Sequence, residues 1–110
     1  MKILRLMIDT KDLKLNKEDE KISPVEMSTR MISNVMVGYA AQVRGLLKDE
    51  RRMIYNIEDI LDGAIKEKKE EVELEDTQAG FIKKCFRETK MAPNTLLRRI
   101  EDNVEAIKDR

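Results

Sequence analysis

Chemistry in this chain rests on carboxylates, amines, guanidiniums and one thiol, because none of its 110 residues is histidine. Ser–His and Cys–His nucleophilic catalysis and His-bearing zinc sites are therefore excluded. Cys85 falls on an apolar helical stripe between Ile82 and Phe86. That setting predicts a buried, inert thiol, since a reactive cysteine needs exposure and positive neighbours, here only Lys84 and Arg87. The acids of Glu70–Asp76 lack the Asp-x-Asp-x-Asp-Gly layout and terminal Glu of a calcium loop. No phosphate-binding loop or dinucleotide glycine fingerprint is present. These residues predict a protein that is not an enzyme and holds no metal or cofactor.

Charge is the remaining resource. Twenty-two basic residues balance 22 acidic ones, so no global field favours nucleic acid or an anionic membrane. The distribution is uneven. Residues 55–76 carry nine acids against three bases, whereas Lys83, Lys84, Arg87, Lys90, Arg98 and Arg99 face only Glu88 within 83–99. Charge runs of this kind are most often solvated helix faces. The alternative is a basic cluster that meets phosphate or an acidic partner. A single cysteine permits no internal disulfide and points to a reducing, cytoplasmic setting. Lys2–Ile8 is interrupted by Arg5 and followed by Asp9, unlike a signal peptide, and no apolar run approaches membrane-spanning length.

The elements that must position these groups are mainly helical. Ile32, Met36, Tyr39, Val43, Leu46, Glu50, Met53, Ile57, Ile60 and Ala64 alternate steps of four and three, with Glu50 alone polar. Ala40, Leu47, Ile54 and Leu61 run beside them. Two stripes make a wall of a bundle core rather than a two-stranded seam. Ser23-Pro24-Val25-Glu26 starts the helix with a cap, an N1 proline and a capping box. Its end is ambiguous: Lys48–Arg52 is charged but has no Gly, Pro or Asn. An unbroken helix to about Lys69 would run roughly 65–70 Å, too long for so small a monomer to cover. Either a partner chain covers it or it bends near Asp49. Val35–Ala41 is apolar all round and predicted buried, and Gly38, Ala41 and Gly45 form a small-residue face suited to a close helix crossing.

Before the long stripe, residues 2–8 read as a short strand, either alone or in a hairpin with Leu13 and Leu15 after a turn at Asp9–Asp12. Asn16–Lys21 reads as a mobile polar loop. After the stripe, Glu70–Asp76 reads as a linker or as a strand against the first. Asp76 or Thr77 caps a third helix with Phe81, Ile82, Cys85 and Phe86 inward. Asn94 or Thr95 caps a last one with Leu97, Ile100, Val104 and Ile107 inward.

The segment Glu88-Thr89-Lys90-Met91-Ala92-Pro93-Asn94-Thr95-Leu96-Leu97-Arg98-Arg99-Ile100 resembles the turn and recognition helix of helix-turn-helix regulators. Lys90 stands at the usual turn glycine, and Arg99 at a usually inward position. The resemblance implies Asn94, Thr95, Arg98 and Arg99 in the groove of a duplex, with Lys83 and Arg87 on phosphate. The strand-then-helix opening is also similar, more distantly, to ribbon-helix-helix proteins. A plain helical hairpin closing the bundle is the simpler reading of the same segment.

Together these features predict a mainly α domain over 1–110. Strand and polar loop occupy 1–22, a long or bent helix 23–69, and a helical hairpin 76–110. The uncovered stripe and lone strand predict a homodimer or higher oligomer with Ile32, Met36, Tyr39, Val43, Leu46, Met53, Ile57 and Ile60 at the interface. The function this suggests is a protein–protein interaction or assembly role: an adaptor, accessory subunit, or phage-type structural or chaperone component. A small DNA-binding regulator is the alternative.

Overall fold

A computed structural model describes residues 1–15 and 17–109. Four helices and three short strands follow in the order β1 (Lys2–Arg5), α1 (Pro24–Gln42), α2 (Lys48–Glu67), β2 (Glu71–Leu74), α3 (Asp76–Glu88), α4 (Thr95–Glu105) and β3 (Lys108–Asp109). The fold is mainly helical, with the N-terminal strand held in a small antiparallel sheet.

The long helix is two helices. Ser23 starts α1 as expected, its Oγ accepting the Glu26 amide at 3.1 Å, with Pro24 first in the helix. The break falls at 43–47, upstream of the charged segment 48–52. Arg44 takes a left-handed conformation, φ 59°, and Gly45 follows at φ 106°. The Gly45 amide donates to Ala40 O at 2.8 Å and the Arg44 amide to Ala41 O at 3.2 Å. That pairing satisfies the last carbonyls of α1 and reverses the chain. The same device ends α2, where left-handed Lys68, φ 55°, sits beneath a Lys69 amide donating to Ala64 O at 2.9 Å. In both places a cation occupies the position glycine usually fills, beside the negative end of the helix dipole.

Because the chain reverses, the stripe covers itself. Ile32, Met36, Tyr39 and Ile57 are buried in one continuous core with Ile54, Leu61 and Ala64, and Leu46, Met53 and Ile60 pack half-buried against it. Val43 is exposed in the loop. The premise that these side chains lack partners within one chain is thus corrected. Ser33 Oγ donates to Glu58 Oε2 at 2.8 Å, tying α1 to α2. The expectation that Val35–Ala41 is buried on every side is also corrected, since Val37 and Ala41 face solvent.

The small-residue face does not form, because Gly45 has left the helix. A Cβ on Gly38 would meet Thr89 Cγ2 at 3.6 Å, an ordinary contact. Gly38→Ala should therefore raise the melting temperature, contributing about 0.5–1 kcal/mol through lower backbone entropy in the unfolded chain. A lowered midpoint in a thermal melt would show a closer approach than this.

β1 is neither an edge nor half of a hairpin. Leu13 and Leu15 lie in a non-strand segment, and Asn16, at the start of the expected mobile loop, lies outside the described residues. A 3₁₀ turn occupies Asp19–Lys21. β1 instead sits between β2 and β3, with Leu4 opposite Val72 and Ile3 opposite both Glu73 and Lys108. Leu4, Leu6, Val72 and Leu74 alternate onto the helices. Ser28, buried on α1, donates to Leu6 O at 2.6 Å and so satisfies the carbonyl just beyond the strand.

Glu75, rather than Asp76 or Thr77, is the residue that caps α3; its amide donates to Gln78 Oε1 at 2.9 Å. Asn94 caps α4, its Oδ1 accepting the Leu97 amide at 2.7 Å. Phe81, Ile82, Cys85, Phe86, Leu97, Ile100, Val104 and Ile107 all point into the core.

Candidate functional site

The basic cluster of 83–99 divides once folded. Arg87, Asn94, Thr95 and Arg98 are exposed and Lys83 is half-buried. Lys84 lies over the Tyr39 ring at 5.6 Å, and its interaction with Tyr39 raises its ammonium pKa. Asn94 spends its side-chain oxygen on the helix cap. Arg99 turns back to the N-terminal segment. Its guanidinium donates to Asp9 O and lies 3.8 Å from Asp12 Oδ2. Asn103 Nδ2 donates to Met7 O at 3.1 Å along the same seam. The unusual Arg99 is therefore a clamp on the segment after β1. Asp102 and Glu105 are exposed on α4 beside Arg98, and like charge there opposes an approaching phosphate.

Cys85 is fully buried, and burial pushes its thiol up to about 12. A neutral, enclosed thiol is a poor nucleophile. Native protein at mildly alkaline pH should resist alkylation by iodoacetamide, while urea-unfolded protein labels fully; rapid native labelling would contradict this burial. The folded state holds the proton above the ordinary thiol value of 9.0, so unfolding releases it, and this group's stabilisation falls as pH rises from there toward 12.

Two surface regions were not read from the sequence. The first is the end of the molecule where α1 hands over to α2. Leu47 is 77% exposed, Tyr55 59%, Val37 55% and Val43 45%. The same stretch of chain carries Arg44, Lys48, Arg51 and Arg52 against Asp49 and Glu50. The Arg51 guanidinium donates to Leu46 O and staples the loop. Gln42 fastens the α3–α4 turn alongside: its amide nitrogen donates to Lys90 O at 3.2 Å and its oxygen accepts the Lys90 amide at 3.1 Å. Lys90 is thereby added to the same end. The heptad reading placed Leu47 in the core, because the stripe continues in register across the break. Gly45 was the available sign of a helix stop.

The second is an open groove of about 570 Å³ between the last half of α2 and β2. Ile60, Ala64 and Val72 line it together with Asp59, Glu67, Glu70, Glu71 and Glu73. Lys69 is its one cation, and it pairs with Glu67 at 2.8 Å. Among the described residues no His, Cys, Asp and Glu side chains converge with metal-ligand geometry, and no helix is long and apolar enough to cross a membrane.

No protein-family model, curated protein or solved structure matches this chain.

Proposed function

We propose that this chain is a non-enzymatic interaction or assembly protein, working as an oligomer in the manner of an adaptor, accessory subunit, or phage-type structural or chaperone component. The supporting observation is the placement of surface apolar area. Four of the five large hydrophobic side chains exposed among the described residues fall within Val37–Tyr55, a stretch that also carries Arg44, Lys48, Arg51 and Arg52 against Asp49 and Glu50. Exposed aliphatic and aromatic groups in one stretch of chain with a local excess of cations have the composition of a docking surface.

The test is light scattering of the wild type and a Val43→Ser/Leu47→Ser variant, each with and without duplex DNA. The expected result is a mass above monomer for the wild type, reduced in the variant and indifferent to DNA. A wild type that stays monomeric at every concentration removes the oligomer. The regulator reading keeps Lys83, Arg87, Thr95 and Arg98 on the surface, with Asn94 and Arg99 engaged elsewhere. Duplex binding that weakens steeply with salt, with a log–log slope of roughly −0.9 per neutralised phosphate, would put that reading first.

A further inference from the structure

We propose that copies of this chain join head to tail, the basic loop end at the start of α2 seating in the acidic groove at the end of α2 of the next copy. This rests on the assembly reading above and specifies its geometry. Two surfaces of opposite character lie on one helix. At its start Leu47 is 77% exposed, and Arg44, Lys48 and Arg52, close to it in sequence, are exposed as well. At its end Asp59, Glu67 and Glu70 rim a groove floored by Ile60 and Ala64. Lys69 and Glu67 neutralise each other, and Asp59 and Glu70 keep the rim negative. The groove therefore offers an apolar floor to the leucine and carboxylates to the cations beside it.

α2 spans 20 residues, about 30 Å at 1.5 Å per residue, against a longest molecular dimension of 38 Å. One copy's loop end is too far from its own groove to fill it. A twofold pairing of like surfaces would set cation against cation or carboxylate against carboxylate. Unlike surfaces joined in one direction repeat, each added copy presenting a fresh groove or a fresh loop end, and give a ring or a filament. Two antiparallel α2 helices about a twofold would instead make both joints at once and stop at a dimer. Masses beyond the dimer mark the repeating form, and a mass that stops at the dimer overturns it. The helix dipole has the same sense, positive at the loop end and negative at the groove end.

Two variants test this: Lys48→Glu/Arg52→Glu at the loop end and Asp59→Lys/Glu70→Lys at the groove. All four side chains are exposed, so the fold should survive, with circular dichroism as the check. Sedimentation velocity at low salt should show wild-type mass rising with concentration and falling as salt screens the joint. Each variant alone should raise the dissociation constant by roughly tenfold or more. Mixing the two should restore complexes, because an intact loop end then meets an intact groove; a misfolded variant could not do this. A wild-type oligomer indifferent to both variants overturns the head-to-tail joint and leaves the assembly reading standing. A wild type that is monomeric throughout overturns both.

Discussion

Ile57→Asp is expected to unfold the protein at room temperature. Ile57 has no exposed surface and sits among Ile54, Leu61 and the α1 face in the core of a single chain. The change forfeits about 2 kcal/mol of apolar burial. It also places an uncompensated carboxylate where burial costs about 3–5 kcal/mol. Against a total stability of about 5–15 kcal/mol for a domain, the sum removes most or all of the margin. Far-UV circular dichroism should show loss of helix at neutral pH, with partial recovery in acid as the carboxyl is protonated. Ile57→Ala, at about 2–5 kcal/mol, should remain folded with a lower urea midpoint. A folded Ile57→Asp monomer would contradict the packing described here and place residue 57 at a surface that only a partner covers.

Gly45→Ala should shift the protein from a compact monomer fold toward an exchanged dimer. At φ 106° an added Cβ meets no neighbour within 4 Å, so the cost is backbone strain alone, about 1–2 kcal/mol. Alanine is also better than glycine inside a helix by about 1 kcal/mol. The swing of about 2–3 kcal/mol favours one continuous helix through 24–67, whose two halves then pack against the halves of a second copy. Every contact between α1 and α2 is kept; only its chain of origin changes. Size exclusion in high salt, which screens the charged joint, should show after refolding at high protein concentration a dimer peak that wild type lacks. A variant that elutes with the wild type, with an unchanged melt, would mean that Gly45 does not decide the break.

The parts of the fold legible in the sequence are those whose pattern is local and complete. Ser23-Pro24, Asn94 and the buried faces of α3 and α4 needed nothing from distant residues. The break at 43–47 was harder, because its left-handed residue is Arg44 rather than glycine, and the absence of turn residues at 48–52 drew attention downstream. β3 is only Lys108–Asp109, too short to carry a hydropathy signal. It is fixed by pairing to β1 and by the 2.9 Å ion pair from Lys2 to Asp109. The candidate site was least legible. The charge asymmetry between 55–76 and its surroundings was visible, but the groove joins α2 to β2 through a reversal at Lys68, and Leu47 reads as core until the loop turns it outward.

The central position of β1 has a kinetic consequence. The strand is translated before either neighbour, and its pairing residues, Glu71–Leu74 and Lys108–Asp109, come late in the sequence. Its pairing with β3 joins residues from opposite ends of the described chain, and loop-closure entropy delays such contacts. The α1–α2 hairpin, whose contacts are nearer, should form first, leaving Leu4 and Leu6 uncovered on the ribosome until the last helix and its short strand emerge. Pulse-labelled hydrogen exchange during refolding should protect the amides of α1 and α2 before those of Leu4 and Leu6. The interval between them is when this chain is most exposed to aggregation and to capture by a chaperone.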